Sequence, residues 1–200
     1  MKVIGITGGV GSGKSRVLAF LEEKYGAFIC QADQAAWLLQ EPGNVCYKKI
    51  TAYFGNGILR ADGTIDRRLL GNIVFGNHKE MAVLNELTHP EVKRYIKEQI
   101  AAEREKGTVL FVVEAALLLE DHYDEICDEL WYIYTREEIR RIRLKESRAY
   151  SDEKIDAIMA SQAPEEVFRS GCQVVIDNSG MFEETCAEIE KVMNSQEKTR

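Results

Sequence analysis

Gly8-Gly9-Val10-Gly11-Ser12-Gly13-Lys14-Ser15 decides how the rest of the chain is read, because it satisfies G-x-x-x-x-G-K-[ST] at every defined position. The motif carries meaning only between a strand and a helix. Lys2–Thr7 (KVIGIT) reads as a buried strand before it. Residues 15–24 follow with Val17, Leu18, Phe20 and Leu21 on a helical period. Glycines allow backbone N–H groups to converge on an anion without Cβ clashes, and the next helix turns its positive end to the same charge. Gly9, Val10, Gly11, Ser12, Gly13 and Lys14 are therefore candidate ligands of a nucleoside triphosphate. Lys14 reaches the β- and γ-phosphates in such a loop, and the Ser15 hydroxyl ligates Mg²⁺.

Outward from this loop, short apolar runs alternate with longer helical patterns. Residues 27–30, 108–113, 130–134 and 173–176 complete a set of five strands. They are apolar on both faces, as the strands of a parallel sheet covered by helices on each side must be. The expected fold is α/β, a three-layer α/β/α P-loop core with a five-stranded parallel sheet, a helical substrate domain and a lid insertion. The core is expected over 1–33, 107–135 and 172–200, the helical insertion over 34–106 and the lid over 136–171. Within the insertion, 33–40, 45–54, 66–75, 78–87 and 90–105 read as separate helices, with Pro90 at a first helical position. The last helix is expected over 182–193, followed by a polar, frayed tail from Asn194.

The 200 residues carry 26 basic and 33 acidic side chains, a net charge of −7, and 45% are hydrophobic. That is ordinary globular composition, large enough for one domain with a core. An acidic chain is a poor generic nucleic-acid binder. No apolar stretch is long enough for a membrane span or a signal peptide. The five cysteines include no CxxC pair, so a disulfide framework or zinc site is not expected and a reduced, cytoplasmic protein is.

A phosphotransferase needs more than a phosphate loop. Glu114, at the end of the 109–113 run, reads as a Walker-B-like acid toward Mg²⁺ or as a cap on a following helix. Asp33, just past the second strand, reads as the base on an acceptor hydroxyl or as a helix N-cap. Between Arg136 and Arg148 six cations stand against three acids, with Arg136, Arg140 and Arg143 at i, i+4 and i+7. Such a face is a lid over the transferring phosphoryl group or a solvated surface of weak ion pairs. A GTPase switch is disfavoured, since Asp177-Asn178-Ser179-Gly180 matches DxxG only beyond the last strand and no Asn-Lys-x-Asp follows.

With these residues in place, most of the chain resembles the dephospho-CoA kinase family. The resemblance is carried by Thr7 to Ser15, Ala32-Asp33, Glu41-Pro42-Gly43, Phe54-Gly55, Asp62 to Arg67, His89-Pro90, Leu117 to Glu120 and Ile176 to Gly180, in that order. It implies transfer of the ATP γ-phosphoryl group to the ribose 3′-hydroxyl of dephospho-CoA; Mg²⁺ is expected with ATP from the phosphate loop, and a monomer or weak homo-oligomer is expected. The resemblance implies Asp33 as base, Arg67 and His89 at the acceptor, and the loop from Asn178 to Gly180 by the adenine of the nucleotide; Glu120 is a further acceptor candidate, and Arg16, Arg140 and Arg148 are further nucleotide candidates. Arg143 is the strongest lid candidate for catalysis. Read from its position alone, His89 is equally a cap before Pro90. Departures are Gln31 for the family's first aspartate, Ala116 for its proline, Arg16 for a threonine and Ser147 for a lid arginine. Another small-metabolite or nucleoside kinase, or a non-catalytic nucleotide sensor, is the alternative function.

Overall fold

β1 (Lys2–Thr7) has no charged residue after Lys2, and all but that residue are buried. A strand apolar on both faces belongs in the middle of a covered sheet. In the computed structural model, which describes residues 1–197, β1 is the central strand. The sheet has the order β2-β3-β1-β4-β5, with β2 at Phe28–Gln31, β3 at Leu110–Glu114, β4 at Glu129–Tyr134 and β5 at Val174–Asp177. β1 runs parallel to β3 and β4, with Ile4 opposite Val112 and Glu129, and β4 runs parallel to β5. The strands start and end within two residues of the expected positions.

The chain divides into two compact units, Met1–Ile29 with 106–200 and Cys30–Glu105, and the boundary runs through β2. In the first unit, α1 (Lys14–Tyr25) and α9 (Phe182–Glu197) close one face of the sheet. Ile4, Ile6, Val112, Trp131 and Ile133 meet Val17, Leu21 and Ile189 there, all fully buried. Burial of this kind is worth about 1.5–3 kcal/mol per large aliphatic side chain. On the other face Tyr132 stacks on Phe168 at 5.0 Å between ring centres. Between β4 and β5 lie α6 (Glu137–Arg148), α7 (Asp152–Ala160) and α8 (Glu165–Gly171). α9 continues past Asn194, where a frayed tail was expected, while residues 198–200 lie outside the described residues.

The second unit contains α2 (Ala32–Leu39), α3 (Val45–Phe54), α4 (Arg67–Val74) and α5 (His78–Glu105), with the first three packed on α5. α5 corrects the expectation of two helices. It runs unbroken for 28 residues with Pro90 inside it, so Pro90 is not a first helical residue and His89 is not a cap. Proline in a helix interior costs about 3 kcal/mol. Val92, Ile96 and Ile100 are buried along the same helix and together outweigh that cost. No helix among the described residues is long and apolar enough to cross a membrane.

All five cysteines are free thiols. Burial pushes Cys30, Cys46 and Cys172 up from an ordinary value near 9 to about 11. The folded chain therefore holds these protons in a range where the unfolded chain has lost them. Unfolding releases protons between about pH 9 and 11, and stability falls as pH rises through that window. The urea midpoint is expected to decline above about pH 9, and less so in a Cys30→Ala, Cys172→Ala variant that stays folded.

Candidate active site

The helix that follows the glycine loop starts without the usual devices. Its N-cap, Gly13, has φ 85°, offers no side chain, and no acid stands in the first turn of α1. A helix N-terminus normally takes Ser, Thr, Asp or Asn, or acids close by. Without them, its positive end remains available to an anion. Thr7 Oγ1 and Ser12 Oγ are buried with no hydrogen-bond partner among the described residues. An orphaned hydroxyl costs about 1–3 kcal/mol, which a ligand oxygen would offset.

The outer side of the loop is held by cations and amides. Lys14 Nζ donates to the Gly8 carbonyl at 2.6 Å. Arg140 Nε donates to the Val10 carbonyl at 2.9 Å, and its guanidinium also reaches the Gln162 side chain. The Ser12 carbonyl accepts from Asn178 Nδ2 at 2.7 Å, Thr135 Oγ1 at 3.0 Å and Arg143 at 3.3 Å. Arg143 also donates to the Asn178 carbonyl at 2.9 Å. Asn178 itself is buried and accepts from Thr185 Oγ1 at 3.1 Å. Its amide packs so closely on Gly13 that a side chain there would collide with it, apart from the strain of positive φ. Burial lowers the pKa of Arg140, and burial together with the nearby Arg16 charge lowers that of Arg143.

Glu114 ends β3, and turns follow it rather than a helix, so it is not a helix cap. Its carboxylate lies 3.7 Å from Lys14 Nζ. Of the remaining candidates in this unit, Arg16 has its guanidinium 3.9 Å from the Phe182 ring centre, and Gly180 is exposed in the loop after β5. Arg148 is exposed, with its guanidinium 5.9 Å from the Tyr150 ring centre. Arg136 is the N-cap of α6 and pairs with Glu138 at 3.6 Å. Arg141 pairs outward with Glu137 at 2.8 Å and with Asp156. Among the described residues, Arg140 and Arg143 of the arginine-rich face bond the loop, whereas Arg136 and Arg141 make the surface ion pairs of the alternative reading. Glu120 is exposed in the turn after β3. Local sequence does not single out Gln162 or Thr185; Thr135 carries a signal, since it directly follows β4 on the side where such sheets bind ligands.

In the second unit, Asp33 is exposed in the first turn of α2, whose N-cap is Gln31, so Asp33 is not the cap. Its carboxylate has no ion pair or hydrogen bond among the described residues. Arg67 opens α4 behind its cap, Asp66, which accepts from the Arg68 N–H at 2.9 Å. His89 is half-buried within α5.

Comparison with known proteins gives a consistent result. A family model described as Dephospho-CoA kinase matches residues 2–184. A protein of Carboxydothermus hydrogenoformans named Dephospho-CoA kinase is 40% identical over 189 residues, which cover 94% of this chain and 91% of that one. The solved Dephospho-CoA kinase from Campylobacter jejuni is 26% identical, covers 100% of this chain and 99% of its own, and superposes with a TM-score of 0.71. TT1252 from Thermus thermophilus is 27% identical, with a TM-score of 0.83 and coverage of 98% and 97%.

Proposed function

Since the chain belongs to the dephospho-CoA kinase family, we propose a division of labour among its residues for the phosphoryl transfer that this family performs. The protein is an ATP-dependent kinase that converts dephospho-CoA to coenzyme A and ADP, the last step of coenzyme A biosynthesis. The observation that carries the assignment of roles is the glycine loop, whose carbonyls at Gly8, Val10 and Ser12 are each bound by a cationic side chain.

In this reading the loop from Gly9 to Ser15 binds the triphosphate of ATP, and Lys14 holds the β- and γ-phosphates. Arg140 and Arg143 stabilise the charge that builds on the transferring group. Arg16 and Gly180 border the nucleotide, and Asn178 acts by shaping the loop. Asp33 accepts the proton of the ribose 3′-hydroxyl. Arg67, His89 and Glu120 bind the acceptor. Residues 34–106 form its domain, 136–171 the lid, and the rest the core.

Mg²⁺ fits the donors present. The Ser15 hydroxyl at the start of α1 and the Glu114 carboxylate, held toward the loop by Lys14, are the hard oxygen ligands that this ion takes. When bound, the cation neutralises charge on the β- and γ-phosphates. A cytoplasmic location is supported by the five free thiols, and we propose a monomer or weak homo-oligomer.

Purified protein with ATP, Mg²⁺ and dephospho-CoA is expected to form coenzyme A stoichiometrically with ADP, as followed by chromatography. Turnover of another alcohol with none of dephospho-CoA overturns the acceptor; hydrolysis alone overturns the transfer.

A further inference from the structure

α2 carries Asp33 and Trp37 four residues apart, so the two share one helix face about 6 Å apart along its axis. Trp37 is an exposed tryptophan, 51% accessible. The Arg67 guanidinium carbon lies 4.6 Å from its ring centre, and Arg67 has no carboxylate partner among the described residues. One turn further on, Gln40 and Glu41 border a recess of about 340 Å³, which Arg60, Asp62, Thr64 and Ile65 complete together with Arg67.

The recess is fixed from behind. Leu59 and Ile65 form an antiparallel bridge, the Arg60 N–H donates to the Thr64 carbonyl at 2.8 Å, and the Tyr47 hydroxyl donates to the Gly63 carbonyl at 2.8 Å. Asp62 is committed to Thr64, accepting from its hydroxyl at 2.6 Å and its N–H at 3.0 Å. Two arginines stand against two carboxylates, with an amide, a hydroxyl and one aliphatic side chain. A bare polyanion gains little in a lining of balanced charge. A neutral chain rich in amides, with a small aliphatic group, finds a donor or acceptor for each polar atom and Ile65 for the rest.

We propose that this recess holds the pantetheine arm of the acceptor and that Arg67, braced on the Trp37 ring, pairs with the acceptor's diphosphate. This rests on the reading of Asp33 as the residue at the ribose hydroxyl. Along α2, Asp33, Trp37 and Gln40 then follow the order of ribose, diphosphate and arm in the acceptor. Arg67 is a binding residue, and Trp37 is a positioning residue that holds the guanidinium by a cation–π contact.

The test uses 4′-phosphopantetheine, which has the arm and a phosphate but no adenosine. It is expected to inhibit competitively against dephospho-CoA. Arg67→Ala is expected to raise both its inhibition constant and the KM for dephospho-CoA about 10- to 100-fold. Gln40→Ala raises both by less, and neither variant moves the KM for ATP. Trp37→Ala raises the acceptor KM several-fold, and Trp37→Phe, which keeps a ring, restores most of it. Absence of inhibition, or equal constants in wild type and the Arg67 and Gln40 variants, overturns the proposal. Calorimetric titration with 4′-phosphopantetheine reads the recess without turnover. A wild type that binds it but leaves dephospho-CoA unphosphorylated therefore counts against the activity, not the recess. Melting temperatures of the variants separate lost binding from lost folding.

Discussion

Replacing Asp33 by Asn is expected to lower kcat by about 10²–10⁴, the usual contribution of a general base. The structure makes this a clean experiment. Asp33 lies in the first turn of α2 without being its cap, is exposed, and has no hydrogen bond or ion pair among the described residues. Asn keeps the shape and loses only the negative charge. The charge is favourable near a helix N-terminus by about 0.3–1 kcal/mol, and that is the stability loss to expect. A large fall in rate with a small fall in melting temperature is thus the signature of the base. Near-normal kcat with a weakened acceptor KM would make Asp33 a binding group only. If the residue merely supported the helix, rate per folded molecule would be unchanged.

Replacing Lys14 by Ala is expected to lower kcat by about 10²–10³, in line with the removal of one preorganised group at the site of developing charge. The background here is different. Lys14 Nζ bonds the Gly8 carbonyl at 2.6 Å and lies 3.7 Å from Glu114, and both side chains are largely buried. Its removal leaves Glu114 without this countercharge, so stability falls as well as rate. Comparing Lys14→Ala, Glu114→Gln and the double variant separates the two effects. The stability cost of losing Lys14 should be smaller when Glu114 is already neutral, while the rate loss persists. Lys14→Arg is expected to recover little, because a planar guanidinium does not substitute for a compact ammonium. Full recovery of the rate in the double variant would show that Lys14 acts only by neutralising Glu114.

The strands were legible because each carries its own burial signal: Lys2–Thr7 and Leu110–Glu114 are runs that suit only a covered sheet. The glycine loop was legible because its residue types have one physical use. Helix ends were harder where tertiary packing overrides local rules. Pro90 looks like a start, yet it lies inside α5, since burial of Val92, Ile96 and Ile100 outweighs one missing hydrogen bond. The arginine segment was legible as a cluster but not residue by residue. Arg140 and Arg143 differ from Arg141 only by which side of α6 faces the loop, and Arg141 finds Asp156 on a helix whose placement is not written locally. Trp37 carries no local signal because its partner, Arg67, is thirty positions away in the sequence and adjacent only once α2 and α4 have packed on α5.

The Ser12 carbonyl, which collects bonds from Thr135, Arg143 and Asn178 at sequence separations of 123, 131 and 166 residues, has a bearing on biosynthesis. The loop leaves the ribosome more than a hundred residues before the groups that shape it. A nascent chain therefore displays the phosphate-binding sequence long before it has the phosphate-binding structure. The finished loop is tied to the arrival of the segment that follows β5.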